Sequence, residues 1–455
     1  MHKNRFLFPA VIFVLLPGSV HAQGSVSANP RFEGKWTGDV ITDAFRGEME
    51  LTITEPADWK IALSVKVRDR VSAGPGVVQR VIKDSIFFSS GVGGAATTYA
   101  GVLRGDSLIG TMEARQDGQL LGRGTWLLKR GAAAAAPANG VSSPLAIFDE
   151  AWSLVDSRYG NFPAKGIDWN LIKSIYREEA GTATTDRQLA GLLSRMLSHL
   201  NDNHISLRVK DTLYHPNGDI DRSSFVADSI VARRFVGPVR ASPSAQWTSA
   251  WMADSIAYIR MDGFQNMRAA RAEIDTVLTR FRGARGIVLD LRKHFGGDDR
   301  GANEVINRFA TGKLVYLSSR TRSGAGHADF LPPHDFVLEP SGSWQFTRPV
   351  MILTSRRTVS AGENFLLGMR EIPHVTVIGD VTSGAFADVG HFKLANGWEL
   401  NFPFNRFVDR NGVSWEGVGL APDIRLVASQ ADIAAGKDVV LDFAVRAVKA
   451  SRRGS

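Results

Sequence analysis

The sequence predicts a chain in two parts: a small all-β domain of sandwich or barrel type, then a larger α/β layered domain led by helices. Three observations predict it. Short apolar or alternating segments separated by Gly and Asp turns fill residues 30–130, the pattern of an antiparallel β unit. The stretch GAAAAAPANG at 131–140 interrupts that pattern with small residues and proline, as a linker does. Beyond about residue 250, strand-like and helix-like segments alternate, which indicates an α/β layered core.

The chain opens with a basic segment, MHKNR, an apolar core, FLFPAVIFVLLPG, and SVHA ending at Ala22. This order predicts a secretory signal peptide over 1–22 and an exported, periplasmic or extracellular protein. The apolar core is shorter than the ~18 residues of a membrane-spanning helix, and no later run reaches that length. The chain has no cysteine, which excludes disulfides, a cysteine nucleophile and a lipid-modified cysteine. A hydrophobic fraction of 44% with 22% charged residues is that of a globular protein. The net charge of +8 comes without basic runs interleaved with aromatics, so nucleic acid is not an expected partner.

In the β unit, EGKWTGDV, GEMELTIT, WKIALSVKV, VVQRVIKDSIFF, TTYAGVL, SLIGTMEA and GRGTWLLKR give about seven strands over 30–130. This reads as an accessory or substrate-presenting module. After a linker over 131–143, a helical subdomain over 144–212 begins with SPLAIFDEAWSLVDSRY, where Leu145, Phe148, Trp152 and Val155 recur at helical spacing. DWNLIKSIYREEA and TDRQLAGLLSRMLSHL follow, the latter opened by Asp186 as a cap. An α/β core over 213–455 alternates the strands SIAYIRM, GARGIVLDLR, RPVMILTS and HVTVIGD with the helices RAARAEIDTVLTRF, ANEVINRFA and AGENFLLGMREI.

Three segments hold residues that can carry chemistry. His204, in HLNDNHISLRV, reads as a histidine at the end of a helix, where a cation is favoured. Gly296 and Gly297, in GIVLDLRKHFGGDD, free the backbone to turn its amides toward an anion. In RRTVSAGENF, Ser360 and Glu363 have the S-x-x-E spacing of a capping box. The same serine, on a strand-to-helix turn with the Ala361 amide beside it, has the place of a nucleophile. Taken singly, each segment is better explained by structure. Together they supply a nucleophile, a base and amide donors, the parts needed for serine hydrolysis of an amide.

In this order the segments resemble the S41 serine peptidases, the family of C-terminal processing peptidases and the tricorn core. LNDNH is similar to the family's L-x-D-x-H signature, GIVLDLRKHFGG to its strand and glycine turn, and VMILTSRRTVSAGENF to its nucleophile segment. VTVIGDVTSGAF and WEGVGLAPDI resemble the following turn and the closing E-x-x-G-x-x-P-D element. The resemblance spans about 145–425 and implies a ClpP/crotonase-like layered peptidase core. Two departures locate the chain within the family. The processing branch places a lysine after the T-x-G turn, where this chain has Ala385. The processing branch also inserts a PDZ domain, for which the roughly 50 residues between His204 and Ile256 are too few.

The tricorn-like branch implies Ser360 as nucleophile, His204 as general base and Glu416 as the acid that orients it. Ala361 with Gly296 or Gly297 would supply the oxyanion donors. Asn203 stands where that branch carries an orienting serine. The expected substrate is a peptide or unfolded protein, with no cofactor. No H-E-x-x-H or paired histidines announce a metal. The alternative is a catalytically silent member of the same family that binds apolar ligands or peptides. His294 and His391 are the other candidate bases.

Overall fold

The computed structural model describes residues 30–42, 46–54, 60–67, 70–91, 96–116, 119–130, 143–218, 226–322 and 326–451. The signal segment and residues 131–142 of the linker lie outside this set. The chain divides into two compact units, 1–135 and 136–455.

The first unit is a closed barrel of eight antiparallel strands, each paired with its sequence neighbour, from Gly34–Thr42 to Gln119–Arg130. The sequence pattern gave about seven because VVQRVIKDSIFF reads as one run. It is two strands, Arg70–Ile82 and Ser85–Ser90, that reverse at Lys83 and Asp84. Lys83 adopts φ 50° at this turn, a conformation that glycine or asparagine would have announced and lysine does not. Closure joins the first strand to the last, with Trp36 opposite Arg130. The Arg130 guanidinium lies over the Trp36 ring at 4.2 Å and donates to the carbonyls of Arg31 and Glu33. Closing the sheet removes the unpaired edges that promote aggregation. Alternation of buried and exposed positions, clearest in Ala96–Arg104, turns one face of each strand inward. Trp36, Phe88, Tyr99 and Trp126 pack in the interior, where Phe88 stacks on Tyr99 at 4.6 Å between centroids.

The second unit begins with the helices Pro144–Arg158, Trp169–Thr182 and Asp186–Ser198. Ser143 and Asp168 cap the first two with their side chains. The third is capped by Thr185 in a box with Gln188, and Asp186, the expected cap, is its first residue. Phe148, Trp152, Trp169, Leu193 and Met196 form one apolar core with Leu400 and Phe402. That shared core ties the helices to a small sheet in which Ser206–Val209 pairs with Glu399–Pro403.

The main sheet has seven strands. Five run parallel: Ile256–Met261, Gly286–Asp290, Val350–Thr354, Val375–Gly379 and Ile424–Arg425. Two antiparallel strands, Phe235–Ala241 and Trp247–Met252, extend one edge. Every residue of Gly286–Asp290 and Val350–Thr354 is buried, because helices cover both faces of such a sheet. Met267–Arg280, Asp299–Ile306 and Ala361–Met369 pack on one face, and Val439–Ala450 on the other. The candidate site lies at the carboxyl ends of Gly286–Asp290 and Val350–Thr354, where open α/β sheets present their loops.

Candidate active site

Ser360 occupies the turn between the buried strand Val350–Thr354 and the helix Ala361–Met369. Its backbone lies at φ 58°, ψ −127°, outside the extended region of an N-cap and costly for a residue with a Cβ, on the order of 1–3 kcal/mol. The capping-box pairing exists in outline: the Ser360 side chain lies by the Glu363 amide, and the Glu363 carboxylate accepts from the Ser360 N–H at 3.3 Å. The Glu363 amide, however, donates to the Ser360 carbonyl at 2.7 Å. The Ser360 hydroxyl makes no cap hydrogen bond. The strained turn thus leaves the Ser360 hydroxyl unspent on the helix, as a nucleophile would require.

The turn is stitched to the end of the neighbouring strand. Thr358 Oγ1 donates to the Leu291 carbonyl at 2.8 Å, Ser355 Oγ to the Arg292 carbonyl at 2.7 Å, and the Val359 amide to the His294 carbonyl at 3.1 Å. These bonds bring the glycine turn beside the serine. Gly296 sits at φ 104°, and a Cβ there would stand 2.9 Å from the Ser360 Cβ. Both the turn and the approach therefore require glycine.

The two glycine amides are used differently. The Gly296 amide donates to His294 Nδ1 at 3.1 Å. The Gly296 carbonyl accepts from the Phe264 amide, and the Phe264 carbonyl accepts from the Asp298 amide. Gly297 is thus the bridge residue opposite Phe264, and its own N–H points away from that partner. Of the two glycines, Gly297 has the amide free to meet an anion. Ala361, first residue of its helix, carries an amide with no intrahelical acceptor.

His204, expected at the end of a helix, lies in the turn six residues after the helix that ends at Ser198, just before the strand Ser206–Val209. Its amide donates to Asp202 Oδ1 at 2.9 Å, and Tyr159 donates to Asp202 Oδ2 at 2.7 Å. Asp202 is fully buried and so fixes the backbone that carries the imidazole. Burial lowers the His204 pKa below the ordinary 6.5, against the opposing charge of Asp202. The ring is 13% exposed and its Nδ1 faces Glu416 Oε1 at 3.8 Å. Both atoms are buried without a hydrogen-bond partner. That separation is beyond hydrogen-bond range, and closing it would satisfy both atoms at once.

Glu416 sits in a loop, yet its side chain is 1% exposed. Its other oxygen accepts the amides of Phe386 and Ala387 at 3.0 and 3.1 Å. Burial first, then the charge of Asp202, raises its pKa well above the carboxylate range. The segment 383–387 joins the three positions. Asn203 Nδ2 donates to the Ser383 carbonyl at 3.1 Å, the Ser383 amide to the Thr358 carbonyl at 3.0 Å, and the Ser360 amide to the Ala385 carbonyl at 2.8 Å. Asn203 therefore anchors the histidine turn to the segment that also holds the serine and the glutamate. Ala385 is fully buried and contributes its backbone.

The sequence reading gave Glu363 only the support of a helix start, and the structure gives it more. It is fully buried and accepts from Thr382 Oγ1 at 2.5 Å, the Gly384 amide at 2.7 Å and the Ala385 amide at 2.8 Å, besides Ser360. Burial pushes its pKa up to about 7 against these four donors. The only hint in the sequence was the capping spacing, which fits either role. Asp202 and Thr358 were likewise missed as supports, because their partners are distant in sequence.

The other histidines are differently placed. His294 is fully buried with Nδ1 engaged by Gly296. His391 is exposed and pairs with Asn401 Oδ1 at 2.8 Å. Among the described residues, Asp202, His204 and Glu416 bring metal-ligand atoms within 4.8 Å of one another. Both Asp202 oxygens already accept hydrogen bonds, which leaves His204 Nδ1 and Glu416 Oε1 as the spare pair. No helix among the described residues is long and apolar enough to cross a membrane.

Comparison with known proteins bears on the family and the fold. The family model for peptidase family S41 matches residues 255–426, and that for the tricorn protease C1 domain matches 143–198. A chloroplastic C-terminal processing peptidase from Tetradesmus obliquus is 25% identical over 173 residues, 38% of this chain. The chain spans 35% of that relative's length. A solved structure of a candidate peptidase from Parabacteroides merdae ATCC 43184 is 25% identical, covers 68% of this chain and 98% of its own, and superposes with a TM-score of 0.62. Mature CPAF in complex with lactacystin shares the fold, with a TM-score of 0.52 at 10% identity over 68% of this chain and 97% of its own. Residues 255–426 thus carry the likeness to peptidase family S41, and the helices over 143–198 that to the tricorn core.

Proposed function

We propose that the protein is an exported serine peptidase acting on peptides or unfolded protein segments, with Ser360 as nucleophile, His204 as general base and Glu416 as the orienting acid. His204 takes the hydroxyl proton as Ser360 Oγ attacks the scissile carbonyl, and the C–O bond forms as the carbonyl π electrons move to oxygen. The amides of Ala361 and Gly297 receive the oxyanion. Collapse expels the amine, which leaves with the proton from His204, and water then releases the acyl group by the same sequence. Glu416, whose Oε1 faces Nδ1 at 3.8 Å, accepts a hydrogen bond from Nδ1–H as that gap closes, and as a carboxylate it balances the imidazolium. Export rests on the basic and apolar pattern of residues 1–22.

The observation that carries the reading is the segment 383–387, which bonds at once to the serine turn, the histidine turn and Glu416. The test is labelling of the folded protein by a fluorophosphonate, with turnover of an unfolded casein. Ser360→Ala should abolish labelling and both Ser360→Ala and His204→Ala should lower kcat by at least ~10³, with Ser360→Ala unchanged in melting. No labelling of the wild type would instead favour a silent, ligand-binding member of the family. Unchanged turnover in His204→Ala would remove the base.

A further inference from the structure

Between the strand Gly286–Asp290 and the glycine turn lies a histidine that the proposed chemistry does not use. His294 is fully buried. Its ring lies 4.6 Å from Phe264 between centroids. On its other side is Gly362, where a Cβ would stand 2.5 Å from Nδ1. Its carbonyl accepts from Val359, the residue before the nucleophile, and its Nδ1 accepts from the Gly296 amide at 3.1 Å. Because Nδ1 is the acceptor, the proton sits on Nε2, and Nε2 is buried without a partner. An orphaned buried donor calls for an explanation, and here the acceptor on the opposite side of the ring supplies it.

Two successive peptide planes are held as a result. His294 Nδ1 fixes the amide of Gly296, and Phe264 fixes its carbonyl at 2.9 Å. A trans peptide points its C=O and N–H in opposite directions. Holding the Gly296 carbonyl on Phe264 therefore turns the Gly297 N–H the other way, out of the strand pairing.

We propose that His294 is a positioning residue, whose Nδ1 pins the Gly296 amide and thereby sets the Gly297 amide as oxyanion donor beside Ser360. This rests on the peptidase reading above. Burial lowers the pKa of His294 to about 3, so the ring stays neutral and Nδ1 remains an acceptor at ordinary pH.

The test uses the full chain and replacements that differ in where they place an acceptor. Asparagine puts Oδ1 where Nδ1 stands, whereas glutamine reaches to the Nε2 side and phenylalanine offers no acceptor. Losing an oxyanion donor costs ~10²–10³ in kcat, and misplacing one costs less. His294→Gln and His294→Phe should lose about 10–100-fold in kcat on casein with KM within about threefold. His294→Asn should stay within about threefold of wild type. Full activity in His294→Gln, or an equal loss in His294→Asn at equal melting temperature, overturns the proposal. If the glutamine variant does not fold, Gly362→Ala provides the same reading, since its methyl group displaces the ring; unchanged kcat there also overturns it. Nitrogen-15 NMR of the imidazoles in Ser360→Ala, which needs no turnover, should show His294 as the Nε2–H tautomer. The Nδ1–H tautomer would refute the role of His294 even if the peptidase reading stands. A wild type that neither labels nor cleaves, with the Nε2–H tautomer present, would refute the peptidase reading instead and His294's catalytic role with it.

Discussion

At the scale of single residues, the two carboxylates that end in the site illustrate opposite relations between sequence and structure. Glu416 has no local pattern to recommend it and rests on its place before G-x-x-P-D, yet it is the carboxylate that faces His204. Glu363 has a clear local pattern, the S-x-x-E spacing, and that pattern conceals its larger task. Four donors converge on it, two on each oxygen: Thr382 and Gly384 on one, Ala385 and Ser360 on the other. Glutamine in its place must turn an NH₂ toward one of those pairs. Thr382 cannot simply reverse its hydroxyl, because Oγ1 already accepts from the Leu420 amide at 2.8 Å. Leaving buried donors unpaired costs about 1–3 kcal/mol. Glu363→Gln should therefore lower stability by about that amount in urea unfolding, and should lower kcat on casein because the displaced segment carries the Ser360 and Glu416 contacts. Unchanged stability and turnover would reduce Glu363 to a helix cap.

At the scale of elements, the sequence was most informative where one physical cause acts alone. The runs GIVLD and VMILT read as buried strands because both of their faces are covered. It was least informative where long-range contacts decide. The strands Leu314–Thr321, His334–Leu338 and Asn405–Asp409 form a separate three-stranded sheet that no local pattern announced. The ion cluster that ends the strand Gly286–Asp290 is of the same kind. Arg292 donates to Asp290 at 3.0 and 2.7 Å and to Asp438 at 2.9 Å, and Tyr258 donates to Asp290 at 2.8 Å. Asp438 lies 146 residues further along and also caps the helix Val439–Ala450 through the Leu441 amide. The cluster thus fastens a helix on one face of the sheet to the strand end that leads into the glycine turn. Arg292 is 9% exposed and Asp438 2%, so removing the cation leaves two carboxylates buried without compensation. Breaking a buried pair in this way costs about 3–5 kcal/mol. Arg292→Met should destabilise the second unit by that order, read by urea unfolding, while Arg292→Met combined with Asp290→Asn and Asp438→Asn should recover part of the loss. A neutral single substitution would show that the cluster adds nothing.

At the scale of the whole molecule, these buried groups predict how stability varies with pH, and their signs differ. His204 and His294 have folded pKa values below the ordinary 6.5. The unfolded chain therefore binds more protons below that value, and their contribution is lost as pH falls from 6.5. For His294 the drop from 6.5 to about 3 amounts to roughly 5 kcal/mol once pH reaches 3, at ~1.36 kcal/mol per unit. Glu363 works the other way. Its pKa rises from 4.5 to about 7, so the folded state binds the extra proton. That contribution is full below 4.5 and is lost as pH rises through 7, about 3 kcal/mol in all. Glu416 and Asp299, also raised, share its sign. Between pH 6.5 and 4.5 the histidines and these carboxylates oppose each other, and the free energy of unfolding should change little. Below 4.5 Glu363 is protonated in both states and no longer compensates. His294 then acts with Asp290, whose pKa is lowered by Arg292 despite its burial, so stability should fall steeply toward pH 3. Urea unfolding at a series of pH values should show this plateau and acid limb in the wild type. In His294→Asn, which keeps the acceptor but has no proton to take up, the limb should be shallower. A limb of equal slope in the two proteins would mean that His294 is not held neutral by its surroundings.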